Sequence, residues 1–434
     1  MIGSGQYSEV YESLEAETIK TALKKSNKLI KEKRGWIVAF SGTGVNLALG
    51  VLYSWSIISA FLMSEQGWTA FNAQLPYMIA CGVFAMLMVP SGRIQDLAGP
   101  RTVIMAAAVF AGLGLIGSGF FVGVAGLSLF FGIFFGAAMG LGYSSATPTA
   151  IKWFGPEKRG LIAGIVVSGF GLASVYAAPL TNYLLGNFGL SATFMILGAA
   201  FFMILLLLAQ FIKNPPSEDS AAGTPAPPAV HGVKEKHCRP ENFEWHEMLR
   251  TTEFYLIWLI FCFGSLAGLM IIGQLSNIVL EQSGFALGFI LVAVLAIFNA
   301  GGRIAGGIMF DNLGWRYTLV AIFTVQAVNF LFFGTYGSLA ALLIGTMIAG
   351  FCYGACLSIF PTLTALLYGV KNLGVNYGLV FTSWGAGGVF GGLIGGLVRD
   401  TTGSYFAAFI AASILCFTGV ILTLLIKTPE KICD

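Results

Sequence analysis

The sequence predicts an all-α membrane protein with twelve transmembrane helices in two pseudo-symmetric six-helix halves, and three observations carry that expectation. The first is composition: of 434 residues 56% are apolar and only 10% charged, with a mean hydropathy of +0.82. A soluble multidomain enzyme cannot be built from such a chain. The second is a series of twelve apolar runs, each close to the ~20 residues that a helix needs to cross a bilayer. The third is an internal repeat: Gly92-Arg-Ile-Gln-Asp96-Leu-Ala-Gly99-Pro-Arg101 follows the second run and Gly307-Ile-Met-Phe-Asp311-Asn-Leu-Gly314-Trp-Arg316 follows the eighth. Both read G-x-x-x-D-x-x-G-x-R at equivalent places in the two halves.

Taken in order, residues 1–34 form a polar N-terminal segment, rich in lysine from Ile19 to Arg34, with Ile19, Leu23 and Ile30 on one helical face. It reads as a basic interfacial helix on the cytoplasmic side rather than a signal peptide or a nucleic-acid arm, because the basic stretch is long and the following apolar run spans without a cleavage site. Runs at 35–63, 70–91, 102–122, 126–151, 160–184 and 190–212 make a first bundle over 35–212. Residues 213–250 carry six prolines among Ser, Ala, Glu and Lys, which cannot build a core, and read as a cytoplasmic linker. Its last part, Glu241 to Arg250, is mildly amphipathic and is expected along the membrane surface. Runs at 251–280, 286–310, 317–336, 339–368, 373–398 and 404–426 make a second bundle over 251–427, before a tail of 428–434. In hydrocarbon the backbone has no water to bond to, so runs of this length must be helices.

Charge placement sets the expected orientation. Of 23 Lys and Arg, all but Arg303 and Arg399 fall in the termini or the even-numbered loops, which places both termini in the cytoplasm of a multi-pass protein of the cytoplasmic (inner) membrane. Seven scattered cysteines imply no disulfide framework, and Cys352 and Cys356, four residues apart, read as small apolar fillers. His231, His237, His246 and Cys238 share the linker, but their spacing matches no standard ligand pattern, so no metal and no cofactor are expected. The spans hold no His, Asp or Glu to activate a serine or cysteine, so an enzyme is not expected either.

What the spans do hold is Arg303, in Asn299-Ala300-Gly301-Gly302-Arg303. An arginine in mid-membrane costs about 2.5–3.5 kcal/mol on insertion scales, and it normally faces a polar cavity for a purpose. No carboxylate lies at a similar depth, so the cavity is positive and suited to an anion. A forked guanidinium matches the two oxygens of a carboxylate. Asn299 shares its face and either donates to a substrate hydroxyl or keto oxygen or orients Arg303. Tyr53 with Asn46 and Gly50 in the first helix, Tyr143 in the fourth, Tyr353 and Leu357 in the tenth, and Phe381 and Trp384 in the eleventh are candidate walls of a small pocket. Glu281, at the outer end of the seventh helix, is the candidate for a peripheral proton site. Asp96, Arg101, Asp311 and Arg316 are the candidate conformational latch, since each carboxylate can accept from a helix N-terminus and each arginine can bridge to a neighbouring helix end.

The repeated loop resembles the signature of the major facilitator superfamily. Tyr53-Ser54-Trp55, Trp153-Phe154 through Lys158-Arg159-Gly160, Glu247-Met-Leu-Arg250, Asn376-Tyr377-Gly378 and Arg303 are similar to the oxalate/formate antiporter and monocarboxylate transporter branch. The resemblance implies two six-helix halves around a central path with alternating access, and substrate carboxylate bound by the eighth-helix arginine, here Arg303. Proton-coupled monocarboxylate carriers of animals have an aspartate where this chain has Asn299. Oxalate-handling members have a lysine where this chain has Trp384 and a tryptophan where it has Tyr353. One cation matches one carboxylate, so the expectation is a secondary active carrier of small monocarboxylates of the lactate and pyruvate type, coupled to protons and acting as a monomer. The rivals are an oxalate/formate-type exchanger and a carboxylate sensor that binds without transporting.

Overall fold

The computed structural model describes residues 32–154, 159–215, 242–369 and 372–426. The N-terminal segment through residue 31, most of the linker and the tail from 427 lie outside the described residues, as do His231, His237 and Cys238. Within the described residues the chain is helical throughout its apolar runs.

The first half comprises α1 (Glu32–Gln66), α2 (Ala70–Ala98), α3 (Pro100–Phe120), α4 (Val124–Ile151), α5 (159–188) and α6 (190–209). The fifth and sixth helices follow one another with no loop. They are divided at Gly189, whose φ of 74° and ψ of −179° only glycine adopts without strain, so twelve spans stand among the described residues. The second half comprises α7 (Thr252–Ser283), α8 (Gly288–Leu313), α9 (Trp315–Phe333), α10 (Leu339–Tyr368), α11 (Leu373–Thr402) and α12 (Phe406–Leu425). Hydroxyl caps open several helices: Thr69, Thr251 and Ser338 accept from the backbone N–H groups of Asn72, Phe254 and Ala341. The internal repeat extends to backbone geometry. Gly99 and Gly314, at the same place in the two loop motifs, have φ/ψ of 79°/155° and 81°/157°.

Two of the twelve helices depart locally from α geometry. α1 tightens to a 3-10 segment at Gly50–Ser54, and α4 widens to a π segment at Ser128–Phe135. The first follows from close packing: a Cβ on Gly50 would stand 2.5 Å from the carbonyl oxygen of Phe170, so α1 lies almost directly on α5. Asn46, one turn earlier, donates to the Val166 carbonyl at 2.7 Å across the same contact.

Because successive spans alternate in direction, the molecule has a near face, where residues 32 and 425 lie, and a far face. The halves meet along three paired contacts, α2 with α11, α5 with α8 and α1 with α7. Small residues make the longest of these possible, with Gly385, Gly388, Gly392 and Gly396 of α11 set against Ala85, Cys81, Met78 and Phe71 of α2. Hydrogen bonds between the halves run from mid-membrane to the far face. They include Ser56 with Ser276 (3.2 Å), Gln74 to the Gly273 carbonyl (2.8 Å), Asn277 to Ser59 (3.1 Å) and Tyr77 to the Leu269 carbonyl (3.3 Å).

The linker's end does more than lie along a surface. Trp245–Met248 forms one turn closed by a capping box of Glu244 and Glu247, and the preceding Phe243 is pinned to α10 and α11. Its N–H donates to the Tyr368 carbonyl, and its carbonyl accepts from Asn372 and Asn376 at 3.0 and 3.1 Å.

The closeness of α8 to α10 makes a stability test. A Cβ on Gly354 would collide with the Asn299 carbonyl oxygen, whereas one on Gly301 meets nothing within 4 Å. Gly354→Val is expected to destabilise the purified protein by about 1–3 kcal/mol and lower its melting temperature. Gly301→Ala is expected to stay within about 0.5 kcal/mol of the parent.

Candidate functional site

Arg303 sits fifteen residues from the start of α8 and ten from its end, buried to 9% exposure where the halves meet. Its Nε donates to Asn299 Oδ1 at 3.0 Å, one turn back on the same helix. Its Nη1 donates to the backbone carbonyl of Val167 on α5 at 3.0 Å. Both acceptors are neutral, and no carboxylate pairs with the guanidinium among the described residues. The contact with α5 depends on Gly171, because a Cβ there would stand 2.9 Å from Asn299 Oδ1 and 3.4 Å from Arg303 Nε.

The bond from Arg303 fixes the side chain of Asn299. An N–H donor must meet Oδ1, so the amide nitrogen Nδ2 is turned the other way, fully buried and without a hydrogen-bond partner. Of the two roles read for Asn299 in the sequence, orientation of Arg303 is visible as a bond, and Asn299 itself is not among the side chains that line the space around the guanidinium.

Around Arg303 stand Tyr53 of α1, Phe84 of α2, Tyr143 of α4, Phe170 of α5, Leu357 of α10, and Phe381 and Trp384 of α11. Six sequence candidates, Arg303, Tyr53, Tyr143, Leu357, Phe381 and Trp384, thus converge on one space. Tyr353 stands just behind: its hydroxyl bonds to the Tyr53 hydroxyl across the halves at 2.9 Å and accepts from Trp384 Nε1 at 2.7 Å. The Trp384 indole is therefore held at its edge by Tyr353 and on its face by Phe381, with ring centroids 5.1 Å apart and planes at 16°. In this conformation the space among these side chains has room for about one water molecule. A carboxylic acid of two or more carbons enters only when the rings move apart.

Phe84 and Phe170 were missed in the sequence. Phe84 is the hub of the aromatic cluster, with centroids 5.0–5.8 Å from Trp384, Tyr143, Phe170 and Phe381. Neither has a polar atom to mark it among 37 phenylalanines, and their helices were not those expected to line a path. The Val167 carbonyl was not readable at all, because any residue could have supplied it.

The remaining candidates lie away from this centre. Glu281 pairs with Arg399 of α11 at 2.7 Å, inside the second half on the far face. Arg101 donates to Gln210, beyond the end of α6, and Arg316 donates to the Ile426 carbonyl just after α12 at 2.7 Å while lying over the Trp315 ring. Each of these arginines therefore ties a helix pair within its own half. Asp311 is exposed, and the side chain of Asp96 is outside the described set. His246 stands 3.4 Å from Glu244, and Cys352 and Cys356 are buried free thiols.

Comparison with known proteins accords with this arrangement. The oxalate:formate antiporter of Oxalobacter formigenes is 27% identical over 378 residues, covering 85% of each chain. An uncharacterised MFS-type transporter of Escherichia coli K12 is 26% identical over 364 residues, 82% of this chain and 87% of its own. Monocarboxylate transporter 13 of Rattus norvegicus is 24% identical over 399 residues, 90% of this chain and 89% of its own. The profile of the Major Facilitator Superfamily matches residues 36–334, well over half of the sequence. With that match, and with twelve helices in two paired halves meeting at a buried arginine, the chain belongs to the Major Facilitator Superfamily.

Proposed function

We propose that this transporter is a secondary active carrier of small monocarboxylates of the lactate and pyruvate type, working by alternating access with proton coupling. The observation that carries the reading is Arg303, a buried permanent cation whose protein partners are all neutral. A cation in such surroundings is stabilised by an anion that brings its own charge, and a single carboxylate completes the pair. The Nδ2 of Asn299, buried and without a hydrogen-bond partner, would reach a hydroxyl or keto oxygen next to that carboxylate once the surrounding side chains move apart. Trp384, Phe381 and Leu357 then provide apolar walls for a short carbon chain, and Tyr143 lines the same space.

The names of the relatives support the carboxylate part of this reading: one is an oxalate:formate antiporter, another a monocarboxylate transporter. Orientation is proposed from the basic loops, with both termini in the cytoplasm of the inner membrane and the near face inward. Since each half also encloses its own Arg101 or Arg316 contact, we assign those arginines to keeping a half rigid while it rocks, with Asp96 and Asp311 accepting from a neighbouring helix N-terminus as the latch engages. A proton travels on the substrate or through Glu281, whose bond to Arg399 would have to open for it to do so.

Proteoliposomes test the whole reading. Labelled lactate competed by pyruvate, acetate, formate, oxalate and succinate is expected to show preference for the monocarboxylates, and uptake is expected to rise as external pH falls. Indifference to a pH gradient with strong stimulation by internal substrate would replace symport by exchange, and binding without counterflow would indicate a sensor. Arg303→Gln is expected to abolish uptake in protein that still inserts, and Arg303→Lys to retain little, because an ammonium cannot reproduce the forked pair. Normal uptake by Arg303→Gln would remove the site assignment.

Specificity rests on the number of cations. Trp384→Lys adds a second one beside Arg303, and the competition ratio of oxalate over lactate is expected to rise about tenfold, ~1.4 kcal/mol, with lactate uptake weakened. An unchanged ratio in protein that inserts properly would show that Trp384 does not face the substrate.

A further inference from the structure

The loop motif occurs a third time. At the far end of α11 the chain reads Gly396-Leu-Val-Arg-Asp400-Thr-Thr-Gly403, the same G-x-x-x-D-x-x-G as Gly92 to Gly99 and Gly307 to Gly314, but on the opposite face of the molecule. The three copies are in different states. A Cβ on Gly92 or Gly307 would meet nothing within 4 Å, whereas one on Gly396 would stand 2.9 Å from the Cα of Phe71. The near-face copies are loose, and the far-face copy is packed against the other half.

What the far-face copy touches is the start of α2. Asp400 Oδ1 accepts from the backbone N–H of Ala70 at 2.7 Å and Oδ2 from that of Phe71 at 2.9 Å, while Thr69 takes the next N–H, that of Asn72, at 3.2 Å. The first N–H groups of a helix have no partner within it, so a carboxylate placed there satisfies two donors and meets the positive end of the helix dipole. The carboxylate comes from the other half of the protein. Its neighbour Arg399 is held by Glu281 at 2.7 Å, so the nearest cation is engaged elsewhere and the charge of Asp400 is directed at α2. Below the clamp, the seam between the halves is closed by hydroxyls, amides and carbonyls, in the pairs Ser56–Ser276, Gln74–Gly273 and Asn277–Ser59. Water can replace each of these partners once the seam parts, and the carboxylate among these far-face contacts is that of Asp400.

We propose that Asp400 is the clamp that keeps the far face shut, and that its two hydrogen bonds to the start of α2 are broken and remade in every transport cycle. It acts on the access equilibrium and touches no substrate. The inference needs the two-half fold but no particular substrate, so it stands or falls separately from the monocarboxylate reading.

The test is a distance measurement across the far face. Nitroxide labels on Gln66→Cys of α1 and Thr401→Cys of α11, both exposed positions, are read by pulsed electron resonance in lipid nanodiscs, with Cys238→Ser and Cys433→Ser to leave only buried native thiols. The parent is expected to populate mainly the short distance. Asp400→Asn keeps the shape and removes the charge and one acceptor. Ala70→Pro removes one of the two donors at a helix position where proline is well tolerated. Each is expected to raise the ratio of long to short distances at least tenfold, and the double variant to add little beyond either single one, because both delete the same contact. Ser191→Ala, which breaks a hydrogen bond to the Gly119 carbonyl inside one half on the same face, is expected to leave the ratio unchanged. An unmoved ratio in both clamp variants would overturn the proposal, and so would an equal rise in Ser191→Ala.

Discussion

A guanidinium that cannot lose its charge, held in a medium that cannot screen it, is the constraint from which the centre of this protein follows. Burial of an unpaired cation is tolerated only if neutral dipoles are turned towards it, and here two are: the amide oxygen of Asn299 and the Val167 carbonyl. The second of these comes from the other half of the molecule. Arg303 therefore bridges the halves, and the bridge requires a glycine at position 171 and close approach of α8 to α5. A carboxylate bound there, as proposed, would compete with that contact and so link binding to rearrangement through one side chain.

Much of this was legible in the sequence, for physical reasons that differ from element to element. The spans were readable because hydrocarbon permits no backbone alternative, and the one surprise among them is that the break read over 185–189 is no loop but a turn of direction at a single positive-φ glycine. Arg303 was readable because a charge in an apolar run is conspicuous. Tyr53, Tyr143, Tyr353 and Trp384 were readable because each carries a polar atom on a helix that faces the centre. Phe84 and Phe170 were not, since a phenylalanine in a cavity wall and one in contact with lipid look alike until the helices are placed. The hydroxyl relay from Trp384 through Tyr353 to Tyr53 depends on partners 31 and 300 residues apart, and no local pattern encodes such a pairing.

Glycine placement decides which surfaces are seams. On α11 the glycines at 385, 388, 392 and 396 form one stripe facing α2, and at each the other helix comes within contact distance of where a Cβ would be. A stripe of this kind gives close approach without interlocking side chains, so two helices can separate without unpacking knobs from holes. The larger side chains are gathered instead near the arginine, where they stack on one another.

That gathering has an electrical consequence. With no more room than about one water among the rings of Phe84, Phe170, Phe381 and Trp384, this space holds no continuous file of water past Arg303. Protons relay along such files, and a membrane that stores energy as a voltage is discharged by them. Packed in this way, the rings that the proposed acid would lie against also interrupt such a file at the arginine.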